Sequence, residues 1–302
     1  MDGMEGRVDR VTRIATVTIV LGLLVLGLKT GAWWLTGSAA LFSDALESTV
    51  NVAASVIALG ALRMAALPAD ANHPYGHEKA EFFAAVIEGA LIMVAAITIL
   101  QHAWSTWAAP HSIDQPWAGL ALNVLATGVN GAWGTRLLTE GRRHRSVALV
   151  ADARHLHADV VSSLAVVVGL VLAVQTGLGW LDPVLAACVA LHVLWSGLKV
   201  MRDSVGGLMD AAPADDVVQR IRAVVARDAD GAIEAHDLLT RQAGRVTFLE
   251  FHLVVPGTMS VADAHVICDR VESSLKSEIP GLSVTIHVEP EGKAKHRGVI
   301  VL

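Results

Sequence analysis

A helical membrane domain followed by a small soluble α/β domain is the fold class this sequence predicts, on three observations. Of 302 residues, 53% are hydrophobic and only 17% charged, more apolar than a soluble chain of this length normally is. The apolar residues crowd the first two-thirds, whereas half of the charged residues fall in the last third, beyond Met201. The apolar residues also fall in runs of about 20, the length that crosses a hydrocarbon layer ~30 Å thick as a helix. The expected division is a six-span, all-α transmembrane domain over residues 1–208 and a soluble domain over 209–302.

The six runs are residues 14–35, 39–62, 82–104, 117–138, 147–174 and 181–200. The fourth is rich in glycine and holds a polar Asn130, so its ends are the least sharply marked. Lys and Arg orient the runs. Arg7, Arg10 and Arg13 precede the first, Arg63 and Lys79 flank the loop after the second, and Arg136, Arg142, Arg143 and Arg145 cluster between the fourth and fifth. Arg202 follows the sixth, and the opposite loops (36–38, 105–116, 176–183) hold no Lys or Arg. Both termini are therefore expected in the cytosol, with the chain crossing the membrane several times. Lys29 stands inside the first run toward its outer end, and a lysine snorkelling to the interface is the expected reading. The polar start and the length of the first run do not fit a cleavable signal peptide. A net charge of −6 argues against a nucleic-acid partner. Cys188, in an apolar run, and Cys268, in a polar segment, are not expected to pair.

Ionisable groups at membrane depth are costly unless they are paired or serve a pathway. The second run contains Asp44, Glu47 and Asn51, and the fifth contains Asp152, His155, His157 and Asp159. Glu47 and Asn51 are four apart, as are His155 and Asp159, so each pair leaves its helix on one face. The second run enters from outside and the fifth from the cytosol. At ~1.5 Å per residue, both pairs lie about 12–20 Å deep, near the midplane. Three oxygens and one imidazole form a plausible site for a divalent transition metal. The alternative is a hydrogen-bonded network that ties the helices together. His157 points to another face, where either support of the site from behind or a plain helix contact is expected; Asp44, one turn before Glu47, is expected to support the site from behind.

Two further clusters stand outside the runs. Between the second and third runs, Asp70, His73 and His77 lie in a loop bent by Pro74 and Gly76. They offer three ligands to one cation, or form a polar connector with incidental histidines. The soluble part reads as αββαβ, a ferredoxin-like two-layer order. Its helices are expected over 213–228 and 260–278, its strands over 233–241, 246–255 and 282–288, with a turn at Ala243-Gly244 and an N-cap at Ser260. His236, His252, His265 and His287 fall one per element, with Glu289 two residues after the last. That spread invites metal binding, although exposed strand histidines are common. His155-Leu-His157-Ala-Asp159 and His77-Glu78 each begin like a hydrolase motif but lack its final histidine. No enzyme activity is expected.

Lys29 followed by AWWLTGS, the SDALES segment, NHPYGHEKAE at 72–81, the His155/Asp159 pair and the αββαβ tail together resemble the cation diffusion facilitator family, including its bacterial zinc and iron efflux members. The resemblance covers nearly the whole chain. It implies a homodimer in the lipid bilayer that exchanges a divalent cation for protons, with a cytosolic tail that binds metal. Carried over by position, the transport site is Glu47, Asn51, His155 and Asp159, and the loop site is Asp70, His73 and His77. The tail sites are His236, His252, His265, His287 and Glu289. Lys79 and Asp210 resemble a charged pair that locks the dimer near the membrane surface. Zinc-transporting members carry Asp or His where this chain has Glu47 and Asn51. Zinc remains the first expectation, with manganese, iron or cobalt as alternatives. A membrane metal sensor without flux is the rival function.

Overall fold

The computed structural model describes residues 2–109, 113–143, 147–295 and 300–301. Arg145, used above for orientation, lies outside them, and nothing is described of the side chains of Arg7, Arg10, Arg13 and Arg143. The chain separates into two compact units, Met1–Gly60 with Ala84–Arg202, and Ala61–Phe83 with Asp203–Leu302.

Six long helices, α1 (Asp2–Thr36), α2 (Ala39–Ala65), α3 (Ala80–Ala108), α4 (Pro116–Arg143), α5 (Val147–Thr176) and α6 (Leu181–Leu208), make up the first unit apart from the end of α2, the start of α3 and the end of α6, which fall in the second. Each runs a residue or more past the apolar run that predicts it, because helical hydrogen bonding continues into polar flanks once nucleated. Within the described residues, five segments are long and apolar enough to cross a membrane: Thr16–Thr36, Ala39–Ala65, Ala80–Ala108, His155–Thr176 and Leu181–Leu208. α4 differs from the six-span expectation, since it is long but insufficiently apolar. Its polar Asn123, Thr127 and Asn130 are buried, turned toward neighbouring helices rather than outward.

Apolar clusters organise these helices, and two of them meet at the first turn of α2. Ala32 of α1, Ala40 and Leu41 of α2, Leu120 of α4, and Val166 and Leu170 of α5 form one. Ala39 of α2, Ile99 and Ala103 of α3, and Ala186 and Ala190 of α6 form the other. The first turn of α2 thus serves both clusters. Asp182, in the first turn of α6, fixes that turn. Its Oδ2 accepts from the Ala39 amide (2.7 Å), and its Oδ1 accepts from the Ala40 amide (3.1 Å) and the Ser38 hydroxyl (2.5 Å). A carboxylate on otherwise unpaired N-terminal amides is a helix cap supplied from a neighbouring helix. Gly89 lets α3 approach α6 closely: a Cβ there would stand 3.2 Å from both the Gly197 carbonyl oxygen and the Met201 Cβ.

In the second unit, α7 (Asp215–Asp228), β1 (Glu234–Ala243), β2 (Val246–Val255), α8 (Val261–Glu278) and β3 (Leu282–Pro290) reproduce the αββαβ order. A two-residue strand, β4 (Ile300–Val301), pairs with β1 and extends the sheet to β3-β2-β1-β4. β1 and β2 are antiparallel, and β2 and β3 parallel. Gly244 takes a φ of 54° in the β1–β2 turn, a conformation that glycine adopts without strain. The Ser260 hydroxyl accepts the Asp263 amide at 3.1 Å and caps α8. Leu249, Phe251 and Leu253 alternate along β2 and pack against Ile221, Val224 and Val225 of α7 and Ile267, Val271 and Leu275 of α8. Period-two alternation therefore turns His252 to the other face of the sheet.

Candidate metal centres

In the helical unit, three carboxylates converge. Asp44 and Glu47 of α2 and Asp159 of α5 each offer a ligand oxygen within 4.8 Å of the others. α1 supplies a cation to the same place. Lys29 is 0% exposed, and its Nζ donates to Asp44 Oδ1 (2.9 Å), Asp159 Oδ2 (3.1 Å) and Ser163 Oγ (2.9 Å). This overturns the snorkelling expectation: two buried carboxylates hold the ammonium in place, so it need not reach the interface. α4 completes the cluster. Asn123 donates to Asp44 Oδ2 and Asn130 to Asp159 Oδ2, each at 2.5 Å. Two buried oxygens, Glu47 Oε2 and Asp159 Oδ1, have no hydrogen-bond partner. Such orphaned acceptors are rare in folded proteins and mark a place where a ligand fits.

The four residues expected as one site thus fall in two adjacent pairs. Glu47 joins Asp159 in the carboxylate cluster. One turn along each helix, His155 Nε2 meets Asn51 Oδ1 at 3.2 Å. A cavity of about 40 Å³ touches Asn51, His155, Asp159, Ser48 and Asn130. His157 makes the helix contact expected of it, with its Nε2 3.4 Å from Thr135 Oγ1 on α4.

The second unit carries two further groups. In the loop, Asp70 Oδ1 accepts from the amides of His73 (2.7 Å) and Asn72 (2.8 Å). The His73 amide first, then that of Asn72, holds the Asp70 carboxyl below its ordinary pKa. His73 Nδ1 lies 3.2 Å from Asp70 Oδ1 and 3.1 Å from His77 Nε2, which is itself 3.4 Å from Asp70 Oδ2. The loop is anchored by Tyr75, which meets Phe248 of β2 edge-on (5.7 Å) and, with it, flanks the Arg241 guanidinium. Lys79 pairs with Asp210 at 2.9 Å. That ammonium, followed by Arg241, holds Asp210 below its usual range.

Strand register builds the other group. His236 of β1 stands opposite His252 of β2, and His252 opposite His287 of β3, so three imidazoles form a row on one face. Glu289, two residues beyond His287 and therefore on the same face, reaches His236 Nε2 (3.2 Å) and His252 Nδ1 (3.4 Å). His287 stands at the row's exposed edge, 3.8 Å from Glu289. The buried His236 Nε2 and His252 Nδ1 have Glu289 at ion-pair distance but make no aligned hydrogen bond to it. His265 lies apart on α8, exposed beside Asp269. Sequence reasoning missed Glu234, whose Oε1 is 2.9 Å from His236 Nδ1 and orients that ring, and Asp237, 3.9 Å from His252. Acidic residues one and two positions from a histidine were the available signal.

Comparison with known proteins decides the family. Residues 15–209 match the model of the cation efflux transmembrane domain, and residues 213–291 match that of the cation efflux protein cytoplasmic domain, ZT_dimer. The chain belongs to the cation efflux family. Its members, the cation diffusion facilitators, are membrane transporters rather than enzymes, and the tail is of the family's dimerisation type. This cation efflux protein is 42% identical over 276 residues to the uncharacterized transporter sll1263 of Synechocystis, covering 91% of this chain and 89% of that one. It is 31% identical over 288 residues to the cation-efflux pump FieF of Yersinia enterocolitica, covering 95% of each. Among solved structures, CzrB in its Zn form is 50% identical over 28% of this chain and 97% of that chain, at a TM-score of 0.27.

Proposed function

We propose that this cation efflux protein exports a divalent transition-metal cation from the cytosol in exchange for protons, as a homodimer in the bacterial inner membrane. Both termini face the cytosol, residues 1–208 carry the cargo and residues 209–302 form the regulatory tail. The observation that carries this reading is the buried carboxylate group of Asp44, Glu47 and Asp159, with unpartnered oxygens on Glu47 and Asp159. Charge buried among membrane helices without a solvent path is costly and serves ion or proton pathways. Cargo loads between α2 and α5 on Glu47, Asn51, His155 and Asp159. Carboxylate, amide and imidazole donors suit zinc first, then manganese, iron(II) and cobalt. The carboxylate and imidazole ligands bind metal only when deprotonated, so protons arriving from outside compete it off. Two states, open to opposite sides, then complete the cycle.

The FieF relatives are named cation-efflux pumps, which supports export over sensing. The loop group Asp70, His73 and His77 and the tail group His236, His252 and Glu289, with His287 at its edge, are proposed as regulatory metal sites. The geometry gives His265 no place in the tail group. Their histidine clustering also favours a second reading, a membrane sensor without flux. Zinc uptake into proteoliposomes under a pH gradient separates the two. Transport is expected for the wild type and none for Glu47→Gln or Asp159→Ala, each still a folded dimer. Flux in both variants equal to wild type would remove the site assignment.

A further inference from the structure

Lys29 is a fixed cation in a place where a mobile one is to bind, and the geometry points to a role that depends on its charge. We propose that Lys29 sets the charge of the transport site: it cancels one of three carboxylates and leaves a net −2 that a dication neutralises. The inference rests on the transport-site reading given above.

The arithmetic comes from the cluster. Asp44, Glu47 and Asp159 contribute −3 when ionised, and Lys29, bridging Asp44 and Asp159, contributes +1. The ammonium does not block the site. It engages Asp44 through Oδ1 and Asp159 through Oδ2, leaving Asp159 Oδ1 and Glu47 Oε2 without partners. Every other polar contact in the cluster immobilises these charges. Ser163 Oγ donates to Asp44 Oδ1 at 2.8 Å and accepts from Lys29, while Asn123 and Asn130 hold the second carboxylate contacts. No other basic side chain joins the cluster among the described residues. With helices of low dielectric around it, one unit of charge changes affinity strongly. Asp44 thereby acquires a role separate from ligation: it holds the ammonium against Asp159.

A purely structural Lys29–Asp44 tie predicts that breaking it from either end gives the same defect. A charge-setting pair predicts opposite defects. Lys29→Met takes the site to −3 and should retain zinc, lowering KM and slowing release, each by about tenfold or more. Asp44→Asn takes it to −1 and should raise KM by about tenfold or more. The double variant Lys29→Met/Asp44→Asn restores −2 and should return KM to within about threefold of wild type. Lys29→Arg, which keeps the charge, should restore most of the KM lost in Lys29→Met.

Zinc uptake by the full-length dimer in proteoliposomes at one fixed pH reads these values as a KM-against-kcat split. KM shifts of the same sign in the two single variants, or a double variant no better than the worse single one, overturn the proposal. Should Lys29→Met fail to reach the membrane, Asp44→Asn decides alone: a fall in kcat at unchanged KM overturns it. Glu47→Gln in the same vesicles keeps the two levels apart. An inactive Glu47→Gln beside an unchanged KM in Lys29→Met rejects charge setting only. A fully active Glu47→Gln together with a fully active Asp159→Ala rejects the transport site itself.

Discussion

The buried cluster in the helical unit and the histidine groups of the second unit use similar donor atoms in opposite surroundings. Around Asp44, Glu47 and Asp159 the charges are held by other side chains, Lys29, Asn123, Asn130 and Ser163, with Lys29 fully buried. Around Asp70 the carboxylate is held by backbone amides, and both Asp70 and His73 are more than half open to water or close to it, at 50% and 57%. The sheet group lies between these extremes, with His236 buried and His287 exposed. In a low dielectric, one unit charge dominates the energetics; at a hydrated loop, screening reduces the same charge to a small effect. The first environment suits selection of cargo by charge. The second suits reversible sensing of metal, where ligand geometry matters more than net charge.

Variants at the buried carboxylates should have the largest effect. Asp159→Ala leaves the Lys29 ammonium short of a partner and removes a proposed ligand, so zinc flux should fall by about a hundredfold or more, and stability by about 3–5 kcal/mol. Proteoliposome uptake and thermal unfolding check the two halves. A variant with normal flux breaks the contrast between regions. The sheet histidines come next. His236→Ala with His252→Ala should remove the sheet group's share of the zinc-induced stabilisation of the second unit, about 2.7 kcal/mol at a hundredfold excess over that site's Kd, and leave the share of the loop group. Flux at saturating zinc should change by less than about threefold. Unfolding of the full-length dimer with and without zinc measures the first, and uptake the second.

Arg241→Ala should then loosen the loop by removing the cation held against Tyr75 and Phe248. Such a contact contributes about 0.5–1 kcal/mol at an exposed site, so loop affinity for zinc should fall by about threefold, read by competition with a chelator. The Lys79–Asp210 pair should show the smallest effect. Asp210 is nearly half exposed, so the pair contributes about 0–1 kcal/mol after screening. Because Asp210 titrates below its ordinary value, this contribution is present above the unfolded carboxylate pKa of ~3.9. It is lost as pH falls through the lower folded value. Asp210→Asn should therefore match wild-type thermal stability at acid pH and differ slightly at neutral pH. A larger difference at acid pH would reverse the sign of this account.

By itself the sequence determined what local periodicity encodes. Apolar runs of membrane length marked α2, α3 and α5 to within four residues of their ends, and α1 and α6 except for the polar start of α1 and the last turns of α6. Alternation marked β1, β2 and β3, and Ser260 marked the start of α8. Four-residue spacing put Glu47 with Asn51, and His155 with Asp159, on one face each as candidate pairs, because a helix turn places such residues together whatever surrounds it. Loop spacing likewise identified Asp70, His73 and His77. The tertiary structure decided which faces meet. Rotation of α1 and α4 about their axes sends Lys29, Asn123 and Asn130 into the carboxylates, and that rotation is set by packing summed over the bundle rather than by any local pattern. Strand register alone aligned His236, His252 and His287, which are far apart in the chain. Lys29 was visible as a lone charge inside the first apolar run and read as snorkelling, because its two carboxylate partners are 15 and 130 residues away. Only the folded chain could pair them.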